Sequence, residues 1–220
     1  MKMRLDERTI ALRVAKEFED GSVVNLGYGM PALCADCIPE DRTIFFHSEN
    51  GVLGFGPLAA DKEKDYEFIN ASDQPLTPLP GMCFFDSAAS FDMIRGSHID
   101  VAVLGAYQVS GKGDLANWGR IGRPITGVGG AMDLAAGARK VIVAMQHTTR
   151  EGEPRIVKQC TSPITARQCV NLIVTDLAVI EVSKAGLLLK ETAPGWTFEE
   201  IQGLTEYELI AAPDVREMTL

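Results

Sequence analysis

A carboxylate placed where a ligand could meet it is Glu49, held in the turn Ser48-Glu49-Asn50-Gly51. The preceding run, Thr43-Ile44-Phe45-Phe46-His47, is β-rich, so the carboxylate is delivered at the C-terminal end of a strand. In open α/β folds ligands bind at that edge of the sheet. A carboxylate there can attack an acyl carbon as a nucleophile. Asn50 and Gly51 allow the tight bend and the close ligand approach that such a role needs. Taken alone, a glutamate after a strand is more often an ordinary solvated loop residue.

Two glycine-rich turns can reach the same edge, Gly27-Tyr28-Gly29 and Gly127-Val128-Gly129-Gly130. Each leads into an expected helix, so its N–H groups can receive a phosphate, a carboxylate or a developing oxyanion. Neither has the spacing of a dinucleotide or P-loop motif: Gly27-x-Gly29 lacks a third glycine, and no Gly-Lys-Ser/Thr closes either turn. Cys34-Ala35-Asp36-Cys37 has C-x-x-C spacing but no second pair, and its apolar helical setting reads as two buried thiols. His47, His98 and His147 are too dispersed for a metal site. No Gly-x-Ser-x-Gly elbow is present, and Trp118 and Phe84-Phe85 read as packing.

The elements that must position these residues alternate. Ile10, Val14 and Phe18 recur every four residues and predict a first helix, ended by Gly21. Val23-Val24-Asn25-Leu26 reads as a short buried strand running into the first glycine turn, and Pro31 opens a second helix to about Ile38. Val52 to Pro80 reads as loops with short strands. Ile99–Gly105 and Lys140–Met145 are buried strands, and Ala131–Ala138 is a short helix after the second glycine turn. Ala178–Val182 and Leu187–Leu189 form a hairpin turning at Lys184-Ala185-Gly186, and Thr197 with Glu200 is a capping box opening a last helix to about Leu204. The fold class is therefore α/β, with an open, mostly parallel or mixed sheet flanked by helices. Residues 1–220 read as one domain, without repeat or linker.

Composition limits the function. Apolar residues make up 46% and charged residues 23% of 220, the proportions of a soluble globular protein. With 21 Lys and Arg against 30 Asp and Glu, the formal charge is -9, which argues against nucleic acid and anionic membrane as partners. An anionic ligand must then be received by backbone amides, a few placed cations or a partner chain. The first 21 residues are charged throughout and do not read as a secretory signal, and no apolar run is long enough for a membrane span. Five cysteines, an odd number and scattered, read as reduced thiols of a cytoplasmic protein.

Laid in order, these segments resemble the B (beta) subunit of family I CoA-transferases of the 3-oxoacid type, from about Asp20 to Thr205. The resemblance is carried by Val24-Asn25-Leu26-Gly27-Tyr28-Gly29-Met30-Pro31, Ser48-Glu49-Asn50-Gly51, Leu53-Gly54 and Phe84-Phe85-Asp86-Ser87. It continues through Ile94-Arg95-Gly96, His98-Ile99-Asp100, Leu104-Gly105-Ala106, Gly113-Asp114-Leu115-Ala116-Asn117-Trp118, Gly129-Gly130-Ala131-Met132-Asp133-Leu134, Cys160-Thr161, Pro163 and Thr165. It implies a NagB/RpiA/CoA-transferase-like fold and a ping-pong reaction through a glutamyl-CoA thioester on Glu49. It further implies that Asn25 and Gly130 contact the thioester region, with Gly27, Gly29, Asn50, Gly51 and Gly129 around the substrate or CoA. No cofactor or metal is implied, CoA thioester being the substrate. The implied partner is a separate A (alpha) subunit in an A2B2 heterotetramer, which supplies part of the oxyanion hole. Succinyl-CoA and acetoacetate are the expected pair, with a 3-oxoadipate or short-chain acetate/butyrate transferase as the alternative. A thioesterase and a non-catalytic small-acid-binding domain stand further off. The family pattern is broken at Asn70-Ala71-Ser72-Asp73, where Asp73 replaces a lysine, at Ser97 for a common glycine, and at Gln146 for a glutamate.

Overall fold

A computed structural model describes residues 2–119 and 127–219. In chain order its elements are α1 (Glu7–Ala15), β1 (Val23–Leu26), a 3-10 segment (Met30–Cys37), β2 (Phe45–Ser48), β3 (Val52–Phe55) and β4 (Cys83–Phe84). There follow α2 (Ser87–Arg95), β5 (Val101–Leu104), β6 (Gln108–Ser110), β7 (Leu115–Ala116), α3 (Ala131–Gly137), β8 (Lys140–Met145) and β9 (Ile156–Val157). The remainder is β10 (Leu172–Thr175), β11 (Ala178–Ser183), β12 (Gly186–Thr192), α4 (Phe198–Gly203) and β13 (Leu209–Glu217).

Among the described residues ten strands form one sheet in the order β13-β12-β11-β10-β8-β5-β1-β2-β3-β4. Its five middle strands, β10, β8, β5, β1 and β2, pair in parallel, and antiparallel hairpins extend it on both sides. Side chains alternate between two cores, as strand geometry requires. Val101, Val103, Ile142, Ala144 and Val24 face α1 and the 3-10 segment. Ala102, Leu104, Val141 and Val143 face Ile94 of α2 and Leu134 of α3. From β1 the chain passes to β2 on one side and then to β5 on the other, so the crevice at their carboxyl ends is a topological switch point.

Most expected elements are present, and β1 and β8 have the expected bounds. The helix expected from Pro31 is a 3-10 segment. Its start at Gly29 has no side-chain cap, and Pro39 holds Ile38 extended at ψ 127, which ends it where expected. The helix α2 is not among the expected elements; Asp86 caps it by accepting from Ala89 N. Ser97, at a position where the resemblance expects glycine, adopts φ 58.

The α1 side of the sheet carries a buried ion-pair network. Arg13 donates to Glu191 at 2.6 Å and to Glu17 at 2.8 Å, while Arg216 donates to Glu191 and Lys140 to Glu17. Burial pushes the Glu191 carboxyl up, but the Arg13 hydrogen bond and charge outweigh it and hold it below the usual range. The stabilisation is therefore complete above the unfolded carboxylate value and is lost as pH falls through the depressed folded value. Replacing Glu191 by Gln is expected to destabilise the fold by up to about 3 kcal/mol, because Arg13 keeps only Glu17. It should also flatten the acid limb of the stability curve, as read by urea unfolding between neutral and acidic pH.

Candidate active site

Cross-strand register builds the site. Asn25 on β1 lies directly opposite His47 on β2, and both point to the face covered by α2. Glu49 follows His47 by two residues and returns to the same side, just past the strand end. The Asn25 amide Nδ2 therefore lies 3.3 Å from Glu49 Oε2 and 3.1 Å from His47 Nδ1. Asn25 is fully buried, and Glu49 is half-buried at the cleft. Asn25 Oδ1 has no hydrogen-bond partner among the described residues. An orphaned buried acceptor costs about 1–3 kcal/mol, so this amide is arranged for something other than stability.

The cleft above these residues has a volume of about 950 Å³. Its wall includes Gly27, Glu49, Gly129 and Gly130 of the residues expected from the sequence. A Cβ built on Gly130 would sit 3.4 Å from Glu49 Cγ, so the glycine leaves the flank of the carboxylate open. Asn25, Gly29, Asn50 and Gly51 are not on that wall, Asn25 lying fully buried behind it. Gly29 precedes the 3-10 segment at φ 81, and Asn50 turns its amide to the Ile69 carbonyl at 2.8 Å.

Gly51 stands at φ 111, and a Cβ there would lie 1.9 Å from the Phe85 carbonyl oxygen. The Phe85 N–H in turn donates to Gly51 O at 3.0 Å. Backbone strain alone costs a non-glycine residue about 1–3 kcal/mol at such a φ. Gly51→Ala is thus expected to lower the melting temperature and to disturb the Glu49 turn, which thermal unfolding with parallel activity measurement checks.

The structure adds residues that sequence reasoning assigned elsewhere or passed over. Asn117 and Trp118, the latter read as packing, are on the cleft wall, as are Tyr28, Tyr107, Arg4, Arg150 and Arg155. Arg4 is tied to the buried Asp176 at 2.8 Å and to Thr148 Oγ1 at 3.1 Å. Their signal is a strand end: Arg150 and Thr148 follow β8, and Tyr107 follows β5, at the same edge as Glu49. The wall also carries Gln146, one of the departures from the family pattern. His147 is buried between Thr175 and Thr205, and burial pushes it down to about 4. His98 is exposed, and Cys34 is buried beside the half-buried Cys37. No described helix is long and apolar enough to cross a membrane.

A parallel switch point with a carboxylate at its lip is the ligand-binding crevice of an open α/β fold. The whole chain superposes on 44% of an acyl-CoA transferase apoenzyme from Escherichia coli O157:H7, with a TM-score of 0.76 at 19% identity. A model of the coenzyme A transferase family matches residues 8–203, and the chain belongs to that family. It is 50% identical over 211 residues to the B subunit of 3-oxoadipate CoA-transferase from Acinetobacter baylyi, covering 95% of this chain and 97% of that one. It is 46% identical over 211 residues to the mitochondrial succinyl-CoA:3-ketoacid coenzyme A transferase 2A of Rattus norvegicus, covering 95% of this chain and 41% of the relative. The protein is a CoA-transferase.

Proposed function

We propose that this chain is the nucleophile-bearing beta subunit of a CoA-transferase that moves CoA from succinyl-CoA to 3-oxoadipate, with Glu49 as the covalent residue. The observation that carries the site assignment is the contact of Asn25 Nδ2 with Glu49 Oε2 at the cleft, with the side-chain-free Gly130 alongside. The acceptor is assigned as 3-oxoadipate ahead of acetoacetate because relatives named for it are 50% identical, against 46% for a succinyl-CoA:3-ketoacid enzyme. Acetoacetate is the second reading.

In the first step the Glu49 carboxylate adds to the thioester carbonyl of the donor. The C–S bond breaks, giving an acyl-glutamyl anhydride and CoA thiolate. The thiolate then adds to the Glu49 carbonyl and expels the donor as a free carboxylate, leaving glutamyl-CoA. The acceptor carboxylate attacks that thioester carbonyl and releases thiolate, which takes the acceptor acyl group and frees Glu49. The thiolate released in each half-reaction is the next nucleophile there, and the acceptor carboxylate enters where the donor carboxylate left, so no cofactor, redox partner or net proton transfer is needed. Asn25 Nδ2 and the amides around Gly130 are the donors to the oxygen that becomes negative at the Glu49 carbonyl, each worth roughly 3–4 kcal/mol. Relatives that match this chain nearly end to end are named as the B subunits of their enzymes. That naming supports a separate alpha subunit as partner; in this reading it completes the cleft, in an A2B2 assembly in the cytoplasm.

The test uses the complex purified with its alpha subunit. With succinyl-CoA as donor, kcat/KM for 3-oxoadipate is expected to exceed that for acetoacetate. The reverse order overturns the acceptor assignment. CoA release that needs no acceptor acid would replace transfer by hydrolysis. Borohydride reduction of the charged enzyme should convert Glu49 to an alcohol, located by peptide mass.

A further inference from the structure

His47 is a fully buried imidazole that the transfer chemistry does not use. Its two nitrogens face different partners. Nδ1 lies 3.1 Å from Asn25 Nδ2, and Nε2 lies 3.1 Å from Ser90 Oγ in the first turn of α2. The ring stacks on Phe85 with centroids 6.1 Å apart and planes 22° apart, which fixes its orientation.

We propose that His47 is a positioning residue: carrying its proton on Nε2, against Ser90, it fixes the Asn25 amide so that an N–H rather than a C=O faces Glu49. This rests on the reading of Glu49 as the nucleophile. The argument is one of hydrogen counting. The Asn25 amide nitrogen faces both His47 Nδ1 and Glu49 Oε2, and it has two hydrogens, one for each. That arrangement needs a lone pair on Nδ1, so the single proton of the neutral ring sits on Nε2, where Ser90 Oγ accepts it.

The other tautomer inverts the site. A proton on Nδ1 would point at the amide, and the amide would turn over to present its oxygen. Asn25 Oδ1 would then lie against the Glu49 carboxylate at the 3.3 Å now occupied by Nδ2. The displaced NH2 would enter the buried position in which Oδ1 now has no partner. Protonating both nitrogens forces the same inversion. Burial opposes that state, pushing His47 down to about 4. The imidazole thus sets which end of a symmetric-looking amide meets the nucleophile, and Ser90 Oγ satisfies the Nε2 proton of that tautomer.

The test compares wild type, His47→Leu, His47→Asn and Ser90→Ala, each in complex with the alpha subunit. The rate of CoA adduct formation on Glu49 is read by rapid-quench intact mass with succinyl-CoA alone, beside KM and the melting temperature. His47→Leu removes the acceptor and is expected to slow adduct formation by about 10- to 100-fold with KM little changed. His47→Asn places Oδ1 where Nδ1 stood and should recover most of that loss, which a packing role would not predict. Ser90→Ala should slow the step as well, and it provides the decisive rate if leucine at 47 prevents folding. Wild-type rates in His47→Leu or in Ser90→Ala, or an Asn variant as slow as the Leu variant, overturn the proposal while leaving Glu49 as nucleophile. No adduct on wild type overturns both.

Discussion

Glu49→Ala is expected to abolish CoA transfer while leaving the fold and the melting temperature unchanged. The side chain is half-buried at a turn, contributes to neither core and, among the described residues, is held by a long hydrogen bond from Asn25, at 3.3 Å. Substitutions of that kind shift stability by about 0.5 kcal/mol or less. The catalytic loss is of another order, since removing a covalent nucleophile costs on the order of 10⁶-fold in a well-measured hydrolase. Glu49→Asp keeps the charge and withdraws it by one methylene. A displacement of about 1 Å at a reacting atom costs about 10²-fold, so the aspartate variant should be severely impaired rather than dead. Initial transfer rates, with intact mass to score the adduct, check both variants. Transfer retained by the alanine variant would sink the covalent assignment.

Asn25→Leu should separate activity from stability more sharply. The leucine is close in volume and enters a site that is fully buried between β2 and β5. It removes one orphaned atom, Oδ1, and creates another by taking the partner of His47 Nδ1. The two effects offset, so the change in stability is expected to stay within about 1 kcal/mol. Turnover is expected to fall by about 10²- to 10³-fold, the cost of deleting one donor to a developing oxyanion. Equal kcat in the variant would show that Asn25 only packs. A large loss of melting temperature would show instead that the amide is needed for folding.

Legibility from the sequence followed the strength of each local signal. Val23–Leu26 and Lys140–Met145 are short β-rich runs bounded by turn residues or charge, and their bounds can be read directly. The Thr197 and Glu200 box forms as expected, because its two hydrogen bonds are local. Helix α2 is hidden because Ser87–Arg95 buries only Ser90 and Ile94, too sparse a stripe for periodicity to find. Strands β10 and β13 are placed by pairing with distant partners, β8 and β12, which no short window of residues contains. At the site, Glu49 and Gly130 are visible as residues at turns. The Asn25–His47 pair is a fact of register between residues 22 apart in the chain, and Ser90 arrives from a helix that the pattern conceals.

That register makes the site portable. Asn25 and His47 meet because they occupy matching rungs of two parallel strands, and Glu49 follows His47 by two residues, just past the end of β2. The repeat between adjacent strands, about 4.8 Å, is the same in every parallel sheet. An engineer could write asparagine on one strand, and His-x-Glu on its neighbour, into an unrelated doubly wound scaffold, and would need to import only a hydroxyl in the place of Ser90 and a ring in the place of Phe85 to orient the amide. The address of Glu49 is set by the hydrogen-bond ladder that leads up to it, and the ladder is common property of the architecture.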